Sequence, residues 1–421
     1  MSSYDPRMAV LTVTPNTIKG ILQIPPSKSH TLRAIQFAAF ASGQSSVINP
    51  LMSPDTEKMI SACEQFGAHF IRDGKSLVII GNHGKIPAIN REIDVGNSGI
   101  ALRFLTAMAA LGSTRTTLYG DASLCGRPMR VLGEALESLG VSIQYHKQAG
   151  YAPLTVCGPI KKSRVKLNGE DSQPISALLI AASLLGRDFD IHVNNPGEKP
   201  WIEMTLHWLK VMNVQVTCDD YRHYKVRGEG WPSFQYSVPG DWSTAAFPIA
   251  AALVTKSKLA IEGLCHDPCQ GDRKILSILE SMGANFIFSD TLTVLPCKSL
   301  NCVDIDVNDC IDALPILAVI ACFAKGTTRL YNAAIAKTKE CDRIACMAEE
   351  LTKMGARIKT FDDGLLIEGG ELQGASVQSH GDHRVAMALA VAALGASSPS
   401  TIQDVDCVEK TYPNFASECI L

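Results

Sequence analysis

Two kinds of apolar segment alternate along the chain. Six are apolar nearly all round and rich in small residues: "SHTLRAIQFAAFASG" from Ser29, "SGIALRFLTAMAALG" from Ser98, "SQPISALLIAASLLG" from Ser172, "STAAFPIAAALVTKS" from Ser243, "DALPILAVIACFAKG" from Asp312 and "DHRVAMALAVAALGAS" from Asp382. Their starts are separated by 69, 74, 71, 69 and 70 residues, so the chain repeats a unit of about 70. A helix that is apolar on every side predicts burial. Between them runs an amphipathic series, "EKMISACEQFGAHF", "RVLGEALESLGVSI", "EMTLHWLKVMNVQV", "KILSILESMGANFIF" and "RIACMAEELTKMGARI", with apolar residues three and four apart. Gly67, Gly140, Gly283 and Gly355, and Asn213 in the third copy, supply the left-handed residue that ends such a helix. Strand-like runs follow, among them "SLVII", "PLTVCG", "YKVRG", "TLTVLP" and "GLLIEG".

Each unit therefore holds two helices and several strands, a small α/β module with a longer period than most solenoids. Three modules around three buried helices, formed twice, give two domains with a boundary near Ser237–Asp241. The extended segment "AVLTVTPNTIKG" precedes the first buried helix and is free to pair with either half.

Lys plus Arg is 39 and Asp plus Glu is 42, a formal charge of −3, which excludes the broadly basic surface of a nucleic-acid or anionic-membrane binder. The longest apolar runs, such as "ALPILAVIACFA", are too short to span a bilayer, and the N-terminus lacks a basic-then-apolar signal. Fourteen cysteines are scattered without a C-x-x-C, as expected of a cytoplasmic chain and not of a metal knuckle. Cys265, His266 and Cys269 in "CHDPC" come nearest to a ligand cluster, but no second pair follows.

Chemistry gathers at the helix starts. Backbone N–H groups and the helix dipole make an N-terminus attractive to anions. Ser243 and Asp241 fit simple capping. Asn97, Ser98 and Gly99, then Arg103, open the second helix. Capping does not explain Lys28, Arg33 or Arg384, because a cation at a positive helix end needs an anion nearby. A second ring of charge precedes the amphipathic helices: Asp55, Arg127, Lys199, Asp272 and Arg273, Lys339 with Arg343, and Lys410. These cations suit a small, multiply anionic ligand.

The strings "PPSKSHTLR", "GNSGIALRFLTA", "GRPM", "DSQPISALL", "DALPILAV", "KECDR", "GDHRVAMALA" and "EKTYP", in this order over essentially the whole chain, resemble the enolpyruvyl transferases, and among them the EPSP synthase branch. The resemblance implies a two-domain inside-out α/β barrel of six βαβαββ repeats, three per domain. The expected domains are 21–239 and 240–421, the latter joined by 1–20, with the active site in the cleft between them. It implies transfer of the enolpyruvyl group of phosphoenolpyruvate (PEP) to the 5-hydroxyl of shikimate 3-phosphate. No metal, organic cofactor, nucleic acid or membrane takes part, and the expected enzyme is a cytoplasmic monomer. By motif, Lys28, Ser29, Arg33, Ser172, Gln173, Asp312 and Lys339 would hold shikimate 3-phosphate. Lys28, Gly99, Arg127, Gln173, Arg343, Arg384 and Lys410 would hold PEP. Asp312, Glu340 and Lys28 would carry the catalytic proton transfers. Gly99 leaves room beside PEP, so glyphosate is expected to compete with it.

Two positions depart from the pattern. Asp171 and Glu198 stand where the family usually has serines that donate to the acceptor phosphate, although both resemble chlamydial-type members. Two carboxylates there would repel a phosphate unless protonated, turned away, or paired with Lys199 or Lys28. Three other readings have less support. A paralogue using an uncharged or cationic acceptor would explain the carboxylates. UDP-N-acetylglucosamine enolpyruvyl transferase would need Asn in place of Ser29 and a cysteine at Ala122. A catalytically dead binding protein would have little reason to keep Asp312, Glu340 and Lys28 together.

Overall fold

The computed structural model describes residues 3–5, 9–266 and 269–420, so Asp267 and Pro268 of the "CHDPC" motif lie outside the described residues. Two compact units divide the chain: an N-terminal unit, Lys28–Val238, and a C-terminal unit, Met1–Ser27 with Pro239–Leu421.

Among the described residues, six four-stranded sheets share one pattern: a parallel pair followed by two antiparallel neighbours. Arg91–Asp94, Thr116–Tyr119, Leu154–Cys157 and Ser142–Tyr145 form one such sheet. Asp304–Asp306, Thr327–Tyr331, Gly364–Glu368 and Arg357–Phe361 form its counterpart in the C-terminal unit. A parallel pair needs a long crossover, and the buried helix supplies it: Gly99–Ala109 connects Arg91–Asp94 to Thr116–Tyr119.

The early extended segment pairs within the C-terminal unit. Val10–Val13 lies antiparallel to Ser400–Gln403, and Gly20–Gln23 lies parallel to Leu259–Glu262. Residues 21–27, expected with the first half, are thus held in the other one by a strand that completes its sheet.

The six apolar segments are buried helices: Lys28–Phe40, Gly99–Ala109, Ser172–Ala182, Trp242–Val254, Leu314–Phe323 and His383–Leu394. Trp242–Val254 and His383–Leu394 are buried along their whole length. In the C-terminal unit the three buried helices pack on one another, and in the N-terminal unit Gly99–Ala109 packs on Ser172–Ala182. Small Ala side chains permit such close approach, and burying each larger apolar side chain contributes about 1.5–3 kcal/mol. The amphipathic helices end as expected, with Gly67, Gly140, Gly283 and Gly355 at φ between +90° and +99° and Asn213 at +59°.

One helix start differs from expectation. Asp312 lies in a 3₁₀ turn, Asn308–Ala313, and the α-helix begins two residues later at Leu314 with Pro315 in its first turn. No helix among the described residues is long and apolar enough to cross a membrane.

Candidate active site

In the N-terminal unit, Lys28 opens its helix with Nζ 3.5 Å from Asp55 Oδ2. Asp55 sits in the first turn of Pro54–Gln65, where a carboxylate is favoured. Ser29 follows, partly exposed, and its carbonyl accepts from Arg33 Nη1 at 3.3 Å. Arg33 is 2% exposed; its Nε and Nη2 donate to Thr205 Oγ1 at 3.2 and 2.9 Å, and its Nη2 to the Trp201 carbonyl. Burial lowers its pKa to about 9. The guanidinium clamps its helix to Lys199–Val211, supporting Ser29 from behind.

A second cluster forms at the start of Gly99–Ala109, which Ser98 caps by accepting from Ala101 N. A Cβ on Gly99 would stand 3.0 Å from Arg103 Nη1 and 3.5 Å from both Arg127 Nη1 and Gln173 Oε1. Two guanidiniums and an amide thus surround one point that only glycine leaves open. Arg127 donates through Nη2 to Asn97 Oδ1 at 2.6 Å. Arg103 donates to Gln173 Oε1 at 3.1 Å and to the Pro128 carbonyl at 2.9 Å. In sequence Arg103 is only a cation near a helix start; its five-residue spacing from Ser98 matches that of Arg33 from Lys28.

The two departing carboxylates meet at the start of Ser172–Ala182. Asp171 is its N-cap, with Oδ1 accepting from Gln173 N at 2.9 Å and Oδ2 3.6 Å from Arg103 Nε. Glu198, 2% exposed, accepts from Ser172 N at 3.0 Å and from Ser172 Oγ at 2.9 Å through one oxygen. Asp171 thus faces Arg103, and Glu198 is hydrogen-bonded by Ser172. Lys199 Nζ lies over the Tyr221 ring, 5.0 Å from its centroid.

The C-terminal unit carries a charge network. Arg343, 1% exposed, donates to Asp382 Oδ2 (2.7 Å), Asp312 Oδ1 (2.7 Å) and Glu340 Oε2 (3.0 Å). Arg384 Nη2 lies 3.0 Å from Asp312 Oδ2, and its Nη1 donates to Ser243 Oγ. Lys410 Nζ lies 3.1 Å from Glu340 Oε1. Burial alone would raise the Asp312 pKa, but Arg384, Arg343 and Lys339 together outweigh it and hold the carboxyl well below the ordinary range. For Arg343, burial is outweighed by Asp382, Glu340 and Asp312, which raise its pKa well above normal. Asp382 also caps His383–Leu394 by accepting from the Arg384 backbone N–H at 2.8 Å, so one carboxylate holds the Arg343 guanidinium and fixes the helix start that carries Arg384.

In sequence Asp272 is only one member of the outer charge ring. It is buried near Asp312, Asp241 and Arg384. Burial, reinforced by Asp312, pushes its pKa up to about 7. Asp241 behaves as a cap, accepting from Ser243 N and Thr244 N. Glu350, fully buried, accepts from Gln378 N at 3.0 Å and bonds His380 Nε2 at 2.7 Å, fixing the turn before Asp382.

Metal-like donor sets occur elsewhere among the described residues, at Asp190, His192 and His223 and at Glu349, Glu350 and His380. In the first, His223 already bonds Asp190 at 2.9 Å. The second is the same Glu350–His380 contact, further engaged by Lys353. His266 of the cysteine motif bonds Arg273 and leans on Phe288.

The family model described as EPSP synthase (3-phosphoshikimate 1-carboxyvinyltransferase) matches residues 13–418. A curated 3-phosphoshikimate 1-carboxyvinyltransferase from Chlamydia caviae is 43% identical over 97% of this chain and 92% of its own length. That from Chlamydia pneumoniae is also 43% identical, with the same coverage. The solved EPSP synthase of Acinetobacter baumannii superposes with a TM-score of 0.81 at 27% identity, covering 98% of both chains. The enolpyruvyl transferase NikO of Streptomyces tendae, at 17% identity and a TM-score of 0.77 over 97% of this chain and 96% of its own, shares the fold. The carboxylates and cations described above thus stand in a chain that belongs to the EPSP synthase family.

Proposed function

We propose that the chain transfers the enolpyruvyl group of PEP to the 5-hydroxyl of shikimate 3-phosphate and releases phosphate. The observation that carries this reading is the placement of Asp312 between Arg343 and Arg384, with Glu340 held by Arg343 and Lys410. PEP has a carboxylate and a phosphate, which planar guanidinium forks recognise in pairs.

The acceptor oxygen adds to C2 of PEP while C3 takes a proton; phosphate then leaves C2 as C3 gives a proton back. One group must accept the hydroxyl proton and another must exchange a proton with carbon. Asp312 is assigned to the hydroxyl and Glu340 to carbon, with Lys28 supporting the exchange. Before PEP binds, the neighbouring cations make Asp312 a weak base. PEP anions drawn to Arg343, Arg384, Lys410 and Arg127 partly neutralise those cations, so Asp312 gains basicity once its partner substrate is in place. Gly99 and Gln173 line the PEP side. Lys28, Ser29, Ser172, Gln173 and Lys339 hold the acceptor, with Arg33 behind Ser29.

The proposed architecture is the six-fold βαβαββ, two-domain inside-out barrel, supported by the repeated sheet pattern. The enzyme is proposed to work as a cytoplasmic monomer with neither metal nor organic cofactor. Phosphate release from PEP, with shikimate 3-phosphate or with unphosphorylated shikimate as acceptor, tests the reading. Turnover with the phosphorylated acceptor supports it, and silence with both acceptors overturns it. Preference for shikimate would favour the paralogue.

A further inference from the structure

The start of helix Ser172–Ala182 is already occupied by the protein's own anions. Its first N–H, from Ser172, goes to Glu198 Oε2 together with the Ser172 hydroxyl, and its second, from Gln173, goes to Asp171 Oδ1. The third residue is Pro174, which has no N–H to offer. Glu198 is delivered from another segment, at the N-cap of Lys199–Val211, in a left-handed conformation with φ +46° that a non-glycine residue adopts at a cost. Its carboxylate is buried, so it meets those donors with little screening by water.

We infer that Glu198 is a built-in competitor for the acceptor's anionic group: a phosphate gains the two Ser172 donors only by displacing this carboxylate. The inference rests on the proposed assignment of Ser172 to the acceptor. Phosphate and carboxylate cannot share these donors, because each donor has one hydrogen and two anions at hydrogen-bond distance repel strongly in a buried setting. Acceptor binding then includes the work of moving Glu198. Glu198 is accordingly a specificity-determining residue, setting the affinity of the phosphorylated acceptor and leaving that of the unphosphorylated alcohol almost untouched.

The test compares the full-length protein with Glu198→Gln and Glu198→Ser by calorimetric titration with shikimate 3-phosphate and, separately, with shikimate. Glutamine keeps an oxygen for Ser172 without the charge; serine removes the competitor. The expected result is at least a tenfold tighter dissociation constant for shikimate 3-phosphate in both variants, about 1.4 kcal/mol. Shikimate affinity should change less than threefold. Unchanged or weaker binding of the phosphorylated acceptor by the Gln variant, with native-like circular dichroism, overturns the inference. Equal tightening of both acceptors does so too. Failure of the parent reading is distinct, since it shows in the unsubstituted protein as absence of turnover.

Discussion

The Arg343 guanidinium and the Asp382 carboxylate form an ion pair that is closed to solvent on both sides, Nε to Oδ2 at 2.7 Å with side-chain exposures of 1% and 0%. Arg343 is placed by the first turn of Arg343–Lys353, and Asp382 by the cap of His383–Leu394. Removing one partner from such a pair leaves a buried charge uncompensated. Asp382→Asn keeps an oxygen for the cap but turns an amide towards Arg343. It is expected to destabilise the protein by about 3 kcal/mol in urea unfolding. A loss below about 1 kcal/mol would show that the other Arg343 carboxylates suffice.

Asp312 answers to two guanidiniums, and its assigned task is the acceptor hydroxyl. Asp312→Asn is expected to lower kcat by roughly 10²–10⁴-fold in phosphate-release kinetics. The KM for PEP should move far less, because Arg343 and Arg384 stay in place. A kcat within fivefold of the parent would remove Asp312 from the proton transfers.

A Cβ added to Gly99 would stand 3.0–3.5 Å from side-chain atoms of Arg103, Arg127 and Gln173. The Gly99 backbone is helical, so Gly99→Ala meets a space restriction and no backbone strain. The added methyl should raise the KM for PEP several-fold and weaken glyphosate inhibition by a larger factor, as measured by competition at fixed PEP. Equal sensitivity of the two proteins to glyphosate would place the inhibitor elsewhere.

Asp272 predicts a pH dependence of stability. Its folded-state pKa of about 7 lies above that of an unfolded aspartate, near 4, so the folded protein binds the extra proton between these values. The contribution is full below about pH 4, declines as pH rises towards 7, and is absent above. Asp272→Asn, neutral at every pH, should flatten this slope and raise the unfolding midpoint at pH 8 relative to the parent. Midpoints that run parallel from pH 5 to 8 would rule out Asp272 as the group responsible.

The helix starts show how far local pattern reaches. Ser98, Asp171, Asp241 and Asp382 cap their helices through their own side chains, as their residue types and positions suggest. Asp312 broke that rule: Pro315 favours the first helical turn, which moved the helix start beyond Asp312 and left its carboxylate in a 3₁₀ turn facing two arginines. Arg33 reads as an anion hook in sequence, yet its Nε and Nη2 are directed at Thr205 and Trp201, more than 160 residues away along the chain.

The repeat, the buried and amphipathic helices, their Gly and Asn stops, and the set of charged residue types are all legible along the chain. Those properties depend on hydrophobic spacing and on the φ angles each residue tolerates, which are local. The partnerships arise only in the folded chain: Glu198 with Ser172, Asp171 with Arg103, Arg343 with three carboxylates, and residues 20–23 with 259–262. A charge's partner, and hence its pKa and its chemistry, depends on distances of a few ångströms and on burial. Both are set by segments that lie far apart in the chain.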